Sequence, residues 1–277
     1  MPKEHSIQDQ IAQHVMERLD NKDFKWNWNG LSDNPSITYE IVTKYPNEKW
    51  SWLGLSRNPN TTWDIVKANP DKPWSWWGLS MNPNTTWEFI QNNPDEPWDY
   101  FGISRNPNIT WEIVNTNPDK PWDWKGLSMN PSITIEIINA YPDNPWGWWD
   151  ISMNPNTTWD VVQTHQDMDW DWLGLSQNQN MTWEIVTNNP DKPWDWRCLS
   201  SNPNITFDIV ANNPDKPWSW WGLGSNPNVT FDIVAENLDK EWDWQKLSAQ
   251  NQMLLSPTDL CTIMKNAEQQ KPMLQSM

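Results

Sequence analysis

Carboxylates recur along this chain at a fixed interval. Glu40, Asp64, Glu88, Glu112, Glu136, Asp160, Glu184, Asp208 and Asp232 follow one another every 24 residues. Eight aspartates keep the same interval seven residues further on, from Asp71 to Asp239, and five keep it eleven residues further on, from Asp99 to Asp243. Such rows have two readings. They form a face for cations or a basic partner, or they are helix caps on a solvated ridge, and the second is the simpler. Glycoside hydrolysis needs two carboxylates with unlike roles in one pocket, and a ladder of like ones does not supply that. The histidines, His5, His14 and His165, are scattered, and no HExxH, glycine-rich phosphate loop or GxSxG occurs. A group repeated nine times is poorly suited to be a unique catalytic residue. The expectation is therefore no enzyme, no cofactor and no bound metal.

The interval belongs to the whole chain. Asn34, Asn58, Asn82, Asn106, Asn130, Asn154, Asn178, Asn202 and Asn226 each open a copy of one phrase, for example NPNITWEIVNTNPDKPWDWKGLSM from Asn106. Self-similarity at a period in this range marks a repeat array. Numbering each copy from 1 at its Asn to 24, position 17 is Trp in every copy and position 19 is Trp in all but one, where it is Tyr100. Position 6 is mostly aromatic. A unit this small cannot bury a core alone, so neighbours must stack. The 27 tryptophans supply the area, at roughly 150–250 Å² per ring.

Two positions vary where the rest hold. Position 20 reads Leu53, Trp77, Phe101, Lys125, Trp149, Leu173, Arg197, Trp221 and Gln245. Position 24, counted from the half-copy at Trp26, reads Asp33, Arg57, Met81, Arg105, Met129, Met153, Gln177, Ser201 and Ser225. A structural position would not tolerate that range. Both fall late in the unit and would form one stripe along the stack. Its aromatic, Met and Arg members suit protein contact. The candidate partner-binding residues are Arg57, Trp77, Met81, Phe101, Arg105, Lys125, Met129, Trp149, Met153, Leu173, Arg197 and Trp221. Neutral drift on a solvated face is the rival explanation. Exposed tryptophans also stack on sugar rings, which keeps a glycan-binding module as a lesser alternative.

The elements that must position this stripe are two short helices per unit. Asn or Ser at position 3 exchange as an N-cap does, with the threonine at position 5 as rival. An acid at position 7 suits the positive helix end, so helix A runs over positions 4–11 and stops at the proline usual at position 13. Asp or Asn at position 14 reads as a second N-cap, with proline at position 16 in the first turn, and helix B covers positions 15–23. Trp124 and Leu127 share a face of helix B, as do Trp111 and Val114 on helix A, and these faces meet in the core. Trp122 lies in line with Gly126, which should leave room for a neighbouring indole. Asp150, Cys198 and Lys246 at that glycine position predict local irregularity. A copy without linker prolines, at His165–Asp169, predicts a loosened joint near residues 165–180. A β-solenoid is the rival fold, because Thr-Trp-Glu-Ile-Val has high strand propensity.

The array spans residues 24–248. Residues 1–23 precede it, with Ile7, Ile11, Val15 and Leu19 on one face of an amphipathic helix that would cap the first unit. Residues 249–277 follow, with a second capping helix from Ser256 and a tail. The fold expected is an all-α solenoid of about nine and a half units, elongated, with a capping helix at each end. The formal charge of −17 argues against nucleic acid and against an anionic membrane surface, and no apolar run approaches the roughly 20 residues of a membrane span. The polar start MPKEHSIQDQ does not read as a secretion signal. Cys198 and Cys261 read as reduced thiols, as in a cytosol.

The phrase NPNITWEIV–NPDKPWDW–GLS resembles tandem repeats in uncharacterised proteins of giant DNA viruses of amoebae, the mimivirus relatives, over roughly residues 24–248. The resemblance implies a viral protein acting in the host cytoplasm or virion, not secreted, and implies no activity. With the stripe, it gives the expected function: a non-catalytic protein–protein interaction scaffold. The alternative is a structural protein of the virion or viral factory that assembles end to end. The partner expected is an unidentified protein, with the chain monomeric or self-associating.

Overall fold

The structure, a computed structural model, describes residues 7–20 and 26–250. It is helical throughout, with no strand among the described residues, and this excludes the β-solenoid. Helix α1 (Ile7–Leu19) is followed by α2 (Trp28–Leu31) and then by nine pairs. The A helices are α3 (Tyr39–Lys44), α5 (Trp63–Ala68), α7 (Trp87–Asn92), α9 (Trp111–Thr116), α11 (Ile135–Ala140), α13 (Trp159–Thr164), α15 (Trp183–Asn188), α17 (Phe207–Asn212) and α19 (Phe231–Glu236). The B helices are α2 and then α4 (Trp52–Arg57), α6 (Trp76–Met81), α8 (Tyr100–Arg105), α10 (Trp124–Ser128), α12 (Trp148–Met153), α14 (Trp172–Gln177), α16 (Trp196–Ser201), α18 (Trp220–Leu223) and α20 (Trp244–Ala249).

Both helices are shorter than the sequence suggests, because different residues cap them. Helix A starts at position 6, and its N-cap is the threonine at position 5: Thr110 Oγ1 accepts from the Ile113 amide at 3.4 Å. Helix B starts at position 19, capped from position 18: Asp123 Oδ1 accepts from the Gly126 amide at 2.7 Å. The position 3 residue and the position 14 acid are not caps. Asn108 instead donates to Pro83 O and Thr85 O of the unit before. Asp119 sits in an exposed turn beside Lys120, and Pro121 lies in the extended segment ahead of helix B. The stop of helix A is not the proline alone, since α13 and α19 end at the same position without it. The stop common to the nine units is the position 17 indole, which donates to the carbonyl of position 12, as in Trp122 Nε1 to Asn117 O at 2.8 Å and Trp170 Nε1 to His165 O at 2.8 Å.

Each unit is bonded to the previous one by three devices. The opening Asn is buried in all nine copies. Asn130 Nδ2 donates to Asn106 O and Ile109 O of the unit before and to Ser104 O at the end of the one preceding that, at 2.9–3.0 Å, while its Oδ1 accepts from the Ser132 amide. The buried serine at position 23 accepts from the position 18 amide of the next unit, as Ser128 Oγ does from Gly147 at 2.9 Å, and itself donates to Trp124 O. The position 17 indole meets the position 19 ring of the preceding unit edge-on, as Trp124 and Trp146 do at 5.0 Å. The joint between residues 165 and 180 is not loosened: Asn178 keeps its bonds to Ser152 O and Asn154 O, and Trp148 still meets Trp170.

The glycine at position 21 does not make room for an indole, as expected from sequence. A Cβ on Gly102 would lie 2.8 Å from Ser80 Cβ and 2.9 Å from Trp77 O. The glycine admits the serine and backbone of the neighbouring B helix, so the B helices pack unusually close. At the joint of α18 with α20 the sizes are exchanged. Position 23 is Gly224 there, and Lys246 carries the side chain at position 21. The exchange does not restore close packing: α18 and α20 approach less closely than the other successive B helices, the local irregularity expected at Lys246.

The expectation of an open, elongated body does not hold. Helix α2 packs on α20 through the bonds that join ordinary neighbours. The Asn27 amide donates to Ser248 Oγ at 3.0 Å, and Asn34 Nδ2 donates to Ser248 O and Gln250 O at 3.1 and 2.8 Å. The backbone of Gln245 stands where a Cβ on Gly30 would go. Helix α1 supplies the missing A layer of this unit: Val15 and Leu19 are buried against Leu31 and Ile41 on one side, and the Arg18 guanidinium lies 3.9 Å over the Phe231 ring on the other. The chain is thus a ring of ten units whose first half-unit is completed by α1. The C-terminal capping helix expected from Ser256 lies outside the described residues.

Candidate functional site

In a closed ring the more closely packed row must be the inner one. All the close helix–helix approaches are between B helices, so B forms the inner wall and A the outer. Position 22, as in Leu127, is buried towards helix A. Positions 20 and 24 lie on the other side of helix B and face inward. Ten helices spaced by about 8 Å close on a circle whose opening is about 15 Å across, once half a helix diameter is allowed on each side.

Six large hydrophobic side chains are exposed among the described residues, and four of them hold position 20: Leu53, Trp149, Leu173 and Trp221. The other two, Tyr141 and Leu238, sit at positions 12 and 13. Trp77 and Phe101 are half-buried because they stack on each other, with ring centroids 6.4 Å apart and planes inclined by 12°. The arginines lie over aromatic rings of this face. Arg57 is 6.0 Å from the Trp77 centroid, Arg105 is 5.6 Å from Phe101 and Arg197 is 4.3 Å from Trp221. Such contacts fix the guanidinium orientation. Met81, Met129 and Met153 fill position 24 between them, half-buried.

Twelve residues read from sequence as one stripe therefore do share one inward face. A concavity of about 540 Å³ runs along part of it, from Trp149 and Met153 through Leu173 and Gln177 to Arg197 and Trp221. Its lining comes from five successive units. Arg57 is held by Asp33 through two charge-assisted bonds, the shorter-range cause that raises its pKa. Burial lowers the Arg105 pKa, partly offset by attraction to Asp150. Burial raises the Asp150 carboxyl, against the pull of Arg105 and Lys125. Cys198 lines the same concavity, where burial and the neighbouring Asp195 push its thiol up to about 11, which disfavours the thiolate.

The acidic rows take the solvated reading. The position 7 acids are all exposed on the outer row, in the first turn of helix A. Among the described residues no three metal-ligating side chains converge, and no helix is long and apolar enough to cross a membrane. Sequence reasoning missed the serine of position 23 and the binding role of the opening Asn. Their near-invariance between copies was the available signal, and polar residues repeated without exception are those whose partners repeat too. No family model, no curated protein and no solved structure matches the chain.

Proposed function

We propose that the protein is a non-catalytic interaction scaffold that takes part of a protein partner into the ring. The observation that carries this reading is the concentration of exposed apolar side chains at position 20, four of six on one inward face. Exposed apolar clusters of this kind mark interaction surfaces. The aromatic and arginine members match the residues that dominate binding energy at interfaces. Closure supports a ring over end-to-end assembly, since the faces such assembly would use are already paired with each other. The likeness of the repeat phrase to giant-virus proteins adds the interior of the infected cell or the virion as the place of action.

A photo-reactive side chain tests this. Placed at Trp221 it should cross-link a discrete protein in a lysate of the native host, and placed at the outer Glu112 it should not. Equal labelling from both positions, or none from Trp221, overturns the reading.

A further inference from the structure

The chain's few arginines concentrate on the inner face, among the N-cap aspartates of position 18. The chain carries −17, yet three of its four arginines, Arg57, Arg105 and Arg197, hold positions on the stripe. Lys125 shares position 20 with Arg197, and Lys246 lines the concavity at position 21. Arg57 is neutralised by Asp33, and Asp150 stands near Arg105 and Lys125. Arg197 and Lys246 have no ion pair among the described residues, and both are exposed. The acids that share this wall, Asp171, Asp195 and Asp243, are engaged as N-caps by helix amides. The five-unit concavity thus has an apolar floor of Trp149, Leu173 and Trp221, with one uncommitted cation, Arg197, at its middle and a second, Lys246, at its end.

We propose that the segment held in the ring is an acidic peptide, extended, with carboxylates beside apolar side chains. The inference deepens the scaffold reading and rests on it. The apolar side chains take the floor at Trp149, Leu173 and Trp221, and the carboxylates pair with Arg197 and Lys246. Arg197, already held over the Trp221 indole, loses little freedom when a carboxylate joins it. An opening of about 15 Å admits one extended chain but not a folded domain. The outer acidic rows repel the same peptide from every other face, and this directs it inward. Of the polymers that carry negative charge, a peptide is favoured over a nucleic acid because two uncommitted cations are too few to follow a phosphate backbone.

The probe is a fluorescein-labelled eight-residue peptide alternating Glu and Leu, read by fluorescence anisotropy against the intact chain. Its Lys–Leu counterpart and an oligothymidylate of equal length are the comparisons. The Glu–Leu peptide should bind, lose at least about tenfold in affinity between 50 and 300 mM salt, and lose about tenfold in the Arg197→Glu/Lys246→Glu variant. Both side chains are exposed, and an unchanged melting temperature establishes that the variant is folded. Failure of the Glu–Leu peptide to bind, binding indifferent to the charge reversal, or tighter binding of the oligonucleotide overturns the proposal. The cross-link from Trp221 separates the two levels. If it persists while the Glu–Leu peptide fails, the assigned chemistry is wrong and the scaffold stands; if it is lost, the scaffold reading falls as well.

Discussion

The inner and outer rows of the ring are built from the same repeat by opposite means. Inner contacts are small and polar: Asn at position 1, Ser at position 23 and Gly at position 21, with bonds of 2.7–3.0 Å around Asn130 and Ser128. Outer contacts are large and aromatic, at centroid separations of 5–6 Å, and position 6 passes from Trp to Tyr, Phe or Ile without breaking the pattern. Directional bonds between backbone and buried side chains fix register, because a shift of an ångström leaves both partners unmet. Ring edges slide over one another at little cost. Register is thus set inside, while the outer row supplies most of the apolar burial. The same division explains closure. The seam repeats the inner bonds of an ordinary joint, with Ser248 and Gln250 as acceptors, while its outer layer is a different element altogether, α1.

The contrast is broken most severely at the Asn ladder. Asn130→Ala removes the donor to three buried carbonyls and the acceptor of the Ser132 amide. Asn106 O keeps the Ile109 amide and Ile109 O keeps Ser132 Oγ, so Ser104 O and the Ser132 amide are the groups orphaned, at about 1–3 kcal/mol each. Chemical denaturation should show a loss of about 2–6 kcal/mol, or no folded protein. A loss under about 1 kcal/mol would place register elsewhere.

The outer row is next. Trp122→Ala removes the edge contact with Tyr100 and the indole bond to Asn117 O, at about 3–5 kcal/mol. Trp122→Phe keeps most of the apolar area and loses the indole bond, so it should cost only a part of that, about 1–2 kcal/mol. If the two substitutions cost the same in thermal melts, the indole bond and not the packing holds the outer row.

Third is the size pairing within the inner row. Gly102→Ala places a methyl against Ser80 Cβ and Trp77 O, and overpacking of this kind costs about 1–3 kcal/mol. Ser80→Gly in the same chain should recover part of the loss, since the Ser80 Cβ is the nearest atom the methyl would meet. The measurement is a double-mutant cycle; an additive cycle would mean that serine and glycine do not share one space.

How much of this was legible in the sequence follows from the same division. Periodicity, the two helices, the core at Trp124 and Leu127, and the joint contact of the position 17 tryptophan could be read, because each depends on neighbours within one unit or one period. The caps were misassigned because Asn108 and Thr110 are equally good acceptors on propensity. The choice between them is made by Pro83 O and Thr85 O, which draw Asn108 to the preceding unit. Closure could not be read, since it is the sum of ten small rotations between units, and no residue encodes that sum locally. The stripe was legible because variability among internal copies reports the absence of a repeated structural demand.

The smallest expected effect is the one that bears most on function. Trp149 at position 20 is 43% exposed and has no aromatic partner among the described residues, whereas position 17 and 19 rings meet across the nine joints between successive units. Trp149→Ala should cost no more than about 1 kcal/mol, within the range of exposed substitutions. Position 20 also offers a comparison within the inner face. Trp77 is half-buried by its stacking with Phe101 and by Arg57, so Trp77→Ala should cost more than Trp149→Ala by about 0.5–1.5 kcal/mol. The ordering Trp122 above Trp77 above Trp149 is the test. If melts place Trp149 level with Trp122, position 20 is a packing position, its variability reflects local fit, and the inward apolar face ceases to be an argument for a partner. If the ordering holds while Trp149→Ala weakens the Glu–Leu peptide, stability and binding are carried by opposite sides of the same helix.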